Sequence, residues 1–165
     1  MPDLDHLPVA DRLLTVMRDS AGKTLAAKEQ FITPRALLLA LLDDPEVGPP
    51  LRGVVDGSKV EAMEPAGIDL SGVSRLADDR MTGDELPALV RYDTLAFKTP
   101  DGADSVWLNK DSLHIFVTGA QRATDTRYGP KHLALGFAAE AVRQPGLLAA
   151  ILSDPGALVD AIYKL

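Results

Sequence analysis

The chain has 165 residues, 46% of them hydrophobic, with a formal net charge of −7 and no cysteine. That length suits one ordinary domain, or two small repeats packed as one. The missing thiols exclude disulfides, cysteine nucleophiles and zinc–thiolate sites, the acidity argues against nucleic acid as a partner, and no apolar run approaches the length of a membrane span.

The N-terminus, MPDLDHLPVA, carries neither a basic stretch nor a continuous apolar one, so no signal peptide is expected and the expected location is cytoplasmic. Residues 9–29, VADRLLTVMRDSAGKTLAAKE, place Leu13, Leu14, Met17, Ala21 and Leu25 at helical spacing, weakened by Gly22. Thr33 is a candidate N-cap acceptor and Pro34 suits a first helical position. The helix that follows, Pro34–Leu42, is apolar nearly all round and must be buried between other elements, so Leu37–Leu42 are assigned to the core. Asp43–Pro50 breaks it, and Leu51–Val55 and Ser58–Met63 read as two further short helices.

Glu64–Lys110 differs in composition. Acidic residues concentrate in Glu61–Glu85, and the first part of the segment reads as a Gly-rich loop. Further on, Leu95 and Phe97 alternate, Pro100-Asp101-Gly102 supplies turn chemistry, and Val106 and Leu108 alternate around Trp107. This predicts a β-hairpin, with Trp107 covering the core or, alternatively, binding a ligand. Asp111 is a candidate cap for a helix over Ser112–Thr126. Gly129-Pro130 opens a helix over Pro130–Ala141 with Leu133, Leu135 and Phe137 inward. After the Gln144-Pro145 break, Gly146–Leu152 and Pro155–Tyr163 read as short helices, the second with Leu158, Val159 and Ile162 on one face.

Two stretches share a phrase: Phe31–Asp44, FITPRALLLALLDD, and Tyr128–Glu140, YGPKHLALGFAAE. Pro34 corresponds to Pro130, Leu37 to Leu133, Leu39 to Leu135 and Leu41 to Phe137. Such repetition predicts two supersecondary units that bury a face against each other. The expected organisation is a single domain, 1–165, with a first repeat at 9–63, an insertion at 64–110 and a second repeat at 111–163.

Catalytic signals are weak. Gly22-Lys23-Thr24 matches the end of a phosphate-binding loop, but Met17 stands where the motif needs its first glycine. His6, His114 and His132 lack metal-binding spacing, and no serine sits in a nucleophile elbow. Paired acids such as Asp43-Asp44 and Asp78-Asp79 read as solvated loop residues. The expectation is a non-catalytic binding module with no metal or cofactor, and His132 is expected at the surface or behind a ligand-contacting residue.

ITPRALLLALLDDPEVGPPLRGVV resembles the first repeat of the N-terminal domain of Clp-type unfoldases, the Clp repeat domain, and GPKHLALGFAAEAVRQPGLLAAIL resembles its second repeat. The resemblance covers roughly residues 9–63 and 111–163. It implies an all-α fold of two four-helix repeats related by a pseudo-twofold axis. It also implies a docking platform for protein substrates, adaptors and peptides, which in some members also binds phosphorylated arginine or cyclic-peptide antibiotics. His132 sits where the family's histidine commonly does, and Ala36 replaces it in the first repeat. Where the family often carries glutamate, this chain has Arg35 and Lys131. That reversal should repel a guanidinium while still attracting a phosphate. The resemblance thus points to a stand-alone form without the ATPase domain, with Arg35, Lys131, His132 and Trp107 as candidate contacts. The expected partners are a Clp-type ATPase, adaptors, substrate proteins or peptides, or cyclic peptides, with no nucleic acid and no membrane. Three alternatives stay open: sequestration of a cyclic-peptide antibiotic, a small hydrolase with the insertion as its lid, and the N-terminal fragment of a larger unfoldase.

Overall fold

A computed structural model of the chain describes residues 9–29, 31–62, 96–123, 127–143, 152 and 154–165. The acidic loop expected within 64–95 and most of the helix expected at Gly146–Leu152 lie outside the described residues. The fold is mainly α-helical, as expected, with one small sheet.

Helix α1 (Asp11–Ala26) buries Leu13, Val16, Met17, Ser20, Ala21 and Thr24. The buried stripe is turned from the predicted one, leaving Leu25 39% exposed. Two hydroxyls can enter the stripe because they bond back to their own helix: Ser20 Oγ to the Met17 carbonyl at 2.6 Å and Thr24 Oγ1 to the Ser20 carbonyl at 2.8 Å. Helix α2 (Pro34–Leu42) has the predicted bounds and is buried nearly all round, but Leu39 is only half-buried. Helices α3 (Gly48–Arg52) and α4 (Gly57–Ala62) start before the predicted positions, and Val55 belongs to neither.

Strand β1 (Phe31–Ile32) comes first in the sheet. The predicted hairpin is present as β2 (Ala96–Lys98) and β3 (Ser105–Leu108), with Phe97, Val106 and Leu108 buried. Its turn is held by Asp101, whose carboxylate accepts from Thr99 Oγ1 and, at 3.0 Å, from the Ala103 amide, with Gly102 at φ 74° where a side chain would be strained. β1 lies parallel to β3, giving the order β1-β3-β2.

Helix α5 (Lys110–Ala120) is capped by Asn109, which accepts from the Ser112 amide at 2.9 Å; Asp111 lies within the first turn instead. The helix stops at Ala120, well short of the predicted Thr126. Helix α6 (Pro130–Arg143) buries Leu133, Leu135 and Phe137, and α7 (Pro155–Tyr163) buries Leu158 and Ile162.

Backbone pairing ties the two halves together. The Ala10 amide donates to the Tyr128 carbonyl at 2.9 Å, and the Asn109 amide donates to the Ile32 carbonyl at 3.0 Å. Ala10 and Asn109 precede α1 and α5; Ile32 and Tyr128 each stand two residues before the proline that opens α2 or α6. The two bonds are therefore one interaction made twice, with the halves exchanged. Val55 and Leu152, which lead into α4 and α7, pair antiparallel. A twofold axis perpendicular to equivalent segments makes them run antiparallel, so this bridge fits such an axis.

Carrying the correspondence along the helices places Ser20 opposite Gly119 in the alignment, and Ala40 opposite Gly136. In the second helix pair these glycines are obligatory. A Cβ on Gly136 would stand 2.5 Å from the Ile115 carbonyl oxygen, and one on Gly119 would stand 2.5 Å from the Tyr128 hydroxyl and 2.9 Å from the His132 carbonyl oxygen. Helices α5 and α6 therefore meet backbone to backbone, whereas α1 and α2 meet through side chains.

Candidate functional site

The four predicted contact residues do not form one site. Arg35 is not an open first-turn side chain: its Nη1 donates to Glu29 Oε1 at 3.1 Å, and the two side chains are only 24% and 15% exposed. Arg35 Nε is buried without a hydrogen-bond partner, so this guanidinium is already committed to the protein interior. Trp107 is half-buried in the middle strand, its backbone paired with Phe31 on one side and Ala96 on the other.

Lys131 and His132 lie together in the first turn of α6. His132 is buried, with 7% exposure, so of its two expected placements the one at the surface does not hold. Its Nδ1 accepts from the Gly129 amide at 2.9 Å, the bond that the third helical residue returns to the N-cap amide in a capping box. Nδ1 is then unprotonated. Burial, followed by the positive charge of Lys131, lowers the His132 pKa below its ordinary value. Its ring also meets the edge of Tyr128 at 6.2 Å between centroids, and the buried Tyr128 hydroxyl donates to the Phe116 carbonyl at 2.6 Å.

Lys131 and His132 line a cleft of about 350 Å³ together with Arg12, Glu46 and Arg127. Arg12 is held there by ion pairs to Asp44 and, at 3.2 Å, to Glu46, and the hydrogen bond to Asp44 is the main reason its pKa is raised. Asp44 is buried and also accepts from the Glu46 and Val47 amides at 3.0 and 2.9 Å. The cleft is thus a rigid wall with Lys131 at its rim.

A larger groove, of about 1230 Å³, opens at the other end of α1. Its floor includes the half-buried Leu39 and Val54 with Ala157. Asp43 takes Lys23 at 3.1 Å and Arg52 at 3.8 Å. Asp56 and Asp154 also line it. Asp56 Oδ1 accepts from the Ser58 amide at 3.0 Å and the Ser58 hydroxyl at 2.7 Å; Asp154 Oδ1 accepts from the Ala157 amide at 3.0 Å. These two aspartates cap α4 and α7, which correspond across the Val55–Leu152 bridge.

Sequence reasoning missed this groove because its lining comes from α1, α2, the α3–α4 turn and α7. The only local signals were Asp56-Gly57-Ser58 and Asp154-Pro155 as helix starts. Leu39 gave none, since an all-apolar helix does not reveal which leucine faces outward. Among the described residues no group of three or more His, Asp or Glu side chains could hold a metal ion. None of their helices is long and apolar enough to cross a membrane.

No protein-family model matches the chain, and no curated protein matches it. Among solved structures, the chain is similar to the N-terminal domain of the caseinolytic protease-associated chaperone ClpD from Arabidopsis thaliana. That match has 15% identity and a TM-score of 0.50, covering 95% of this chain and 93% of that one. At such identity the likeness concerns the fold alone, which is similar to that of a Clp N-terminal domain.

Proposed function

We propose that this chain is a protein- or peptide-binding module of the Clp type. It acts without catalysis, in the cytoplasm, as an accessory, adaptor or competitor within a Clp chaperone–protease system. The observation that carries the reading is the likeness of fold, over nearly the whole of both chains, to a chaperone's N-terminal domain. Two open concavities on a rigid helical frame support it, because ligand sites favour clefts built on preformed elements. Of the residues expected to touch a partner, Lys131 is the best placed. Arg35 is engaged by Glu29 and would have to leave that pair first.

The test is capture from cell lysate on the immobilised chain, followed by mass spectrometry. Recovery of a Clp ATPase, its adaptor or its known substrates above a charge-matched control is the expected result. Recovery of none of these, with the immobilised chain shown to be folded, would overturn the placement in a Clp system.

A further inference from the structure

The groove at the C-terminal end of α1 has an uneven charge distribution. Lys23 and Arg52 share one carboxylate, Asp43. Asp56 and Asp154 form no ion pair with any described residue. Each directs one oxygen, Oδ1, to its helix cap. Asp56 stays ionised there: hydrogen bonds from Ser58, the hydroxyl first, hold its carboxyl below its usual range. The same groove is lined by apolar surface from Leu39, Val54 and Ala157 that the fold leaves half-covered.

We propose that this groove docks an extended polypeptide segment in which lysine or arginine alternates with apolar residues, its cations at Asp56 and Asp154 and its apolar side chains over Leu39 and Val54. The proposal rests on the reading of the chain as a peptide-binding module and names the class of segment it takes. Three features favour that occupant. Two of its lining carboxylates, Asp56 and Asp154, form no salt bridge with a described residue. Leu39, Val54 and Ala157 are apolar, and the groove's volume, about 1230 Å³, exceeds what a single side chain fills. A chain with a net charge of −7 also draws cationic segments towards itself from a distance. An acidic segment would meet the opposite balance, because the groove's cations already hold Asp43.

The test uses amide chemical shifts of the full chain titrated with two capped hexapeptides, one alternating leucine with arginine and the other leucine with glutamate. The expected result is saturable shifts at Val54–Gly57 and Ala157 with the arginine peptide and none with the glutamate peptide. The double variant Asp56→Asn, Asp154→Asn keeps both caps, since an asparagine oxygen can accept the same bonds. It should weaken the arginine peptide about fivefold, the worth of two exposed charge contacts. Asp160→Asn, an exposed acid on α7 outside the groove, should leave binding unchanged. Equal binding of both peptides, or an undiminished affinity in the double variant, would sink the charge preference. Shifts confined to the Arg12–Lys131 cleft would sink the groove assignment. Binding of neither peptide overturns the proposal, while the lysate capture, read separately, decides the module reading.

Discussion

The two helix pairs share a backbone plan and differ in how they close it. In the second pair, α5 and α6 touch through Gly119 and Gly136, Asn109 caps α5, and His132 caps the entry to α6. In the first, Ser20 and Ala40 put side chains at the corresponding positions of α1 and α2, and both are buried. Ala10 offers α1 no capping group, and Thr33 makes no cap bond although it stands at the N-cap of α2. Thr33 Oγ1 is buried without a hydrogen-bond partner, and Ala36, where His132 has its counterpart, cannot accept from the Thr33 amide. What the halves keep in common is the backbone pairing between them; cap chemistry and helix spacing are free to diverge behind it.

The largest expected effect is at the glycine contact. Gly136→Ala forces a Cβ against the Ile115 carbonyl oxygen at 2.5 Å, and should cost about 3 kcal/mol in urea unfolding, the upper range for overpacking. The reciprocal change in the first pair, Ala40→Gly, should cost only about 1 kcal/mol, the loss of helix propensity. Equal losses would mean that the two pairs are packed alike after all. A smaller contrast lies at the caps. Asn109→Ala should cost about 1 kcal/mol, whereas Thr33→Val, which removes a buried hydroxyl that bonds nothing, should be neutral or stabilising. A loss at Thr33 as large as at Asn109 would show that its hydroxyl does cap α2 in solution.

The smallest effect is one of pH. The folded state lowers the His132 pKa, so the unfolded chain takes up the proton more readily. Stability from the neutral ring is therefore complete above the ordinary imidazole value of 6.5 and declines as pH falls below it. Melting temperatures across that range should fall less in His132→Gln than in the parent protein. An identical fall in both would place the acid sensitivity elsewhere. Ala36 gives the first pair no such dependence.

These contrasts also mark how far the sequence could be read. Pro34–Leu42 was legible to the residue because proline and the Asp43-Asp44 break bound an apolar run. The hairpin was legible because Phe97, Val106 and Leu108 keep a period of two around Pro100-Asp101-Gly102. β1 was not, since two residues carry no period and its partner strand is remote in the chain. Asn109 was passed over for Asp111 because both are good caps and only the backbone decides between them. His132 was left between a surface and an interior position, because a helix-start histidine usually faces water and only the fold brings Tyr128 and the Gly129 amide to its ring. Of the predicted contacts, Lys131 and His132 share a cleft, while Arg35 is withdrawn by Glu29, a pairing that helical spacing cannot foretell.

The exchanged backbone bonds have a consequence for how the chain comes together. Ile32 finds its partner amide only at Asn109, and Ala10 only at Tyr128. As the chain leaves the ribosome, the first helices can form and pack, but the segments that lead into them have nothing to pair with until the second half emerges. The hairpin, being local, can form ahead of that closure. Folding of this duplicated protein is thus not the sum of two repeats folding in turn. Each half is finished by the other, and the bonds that join them close the longest stretches of chain.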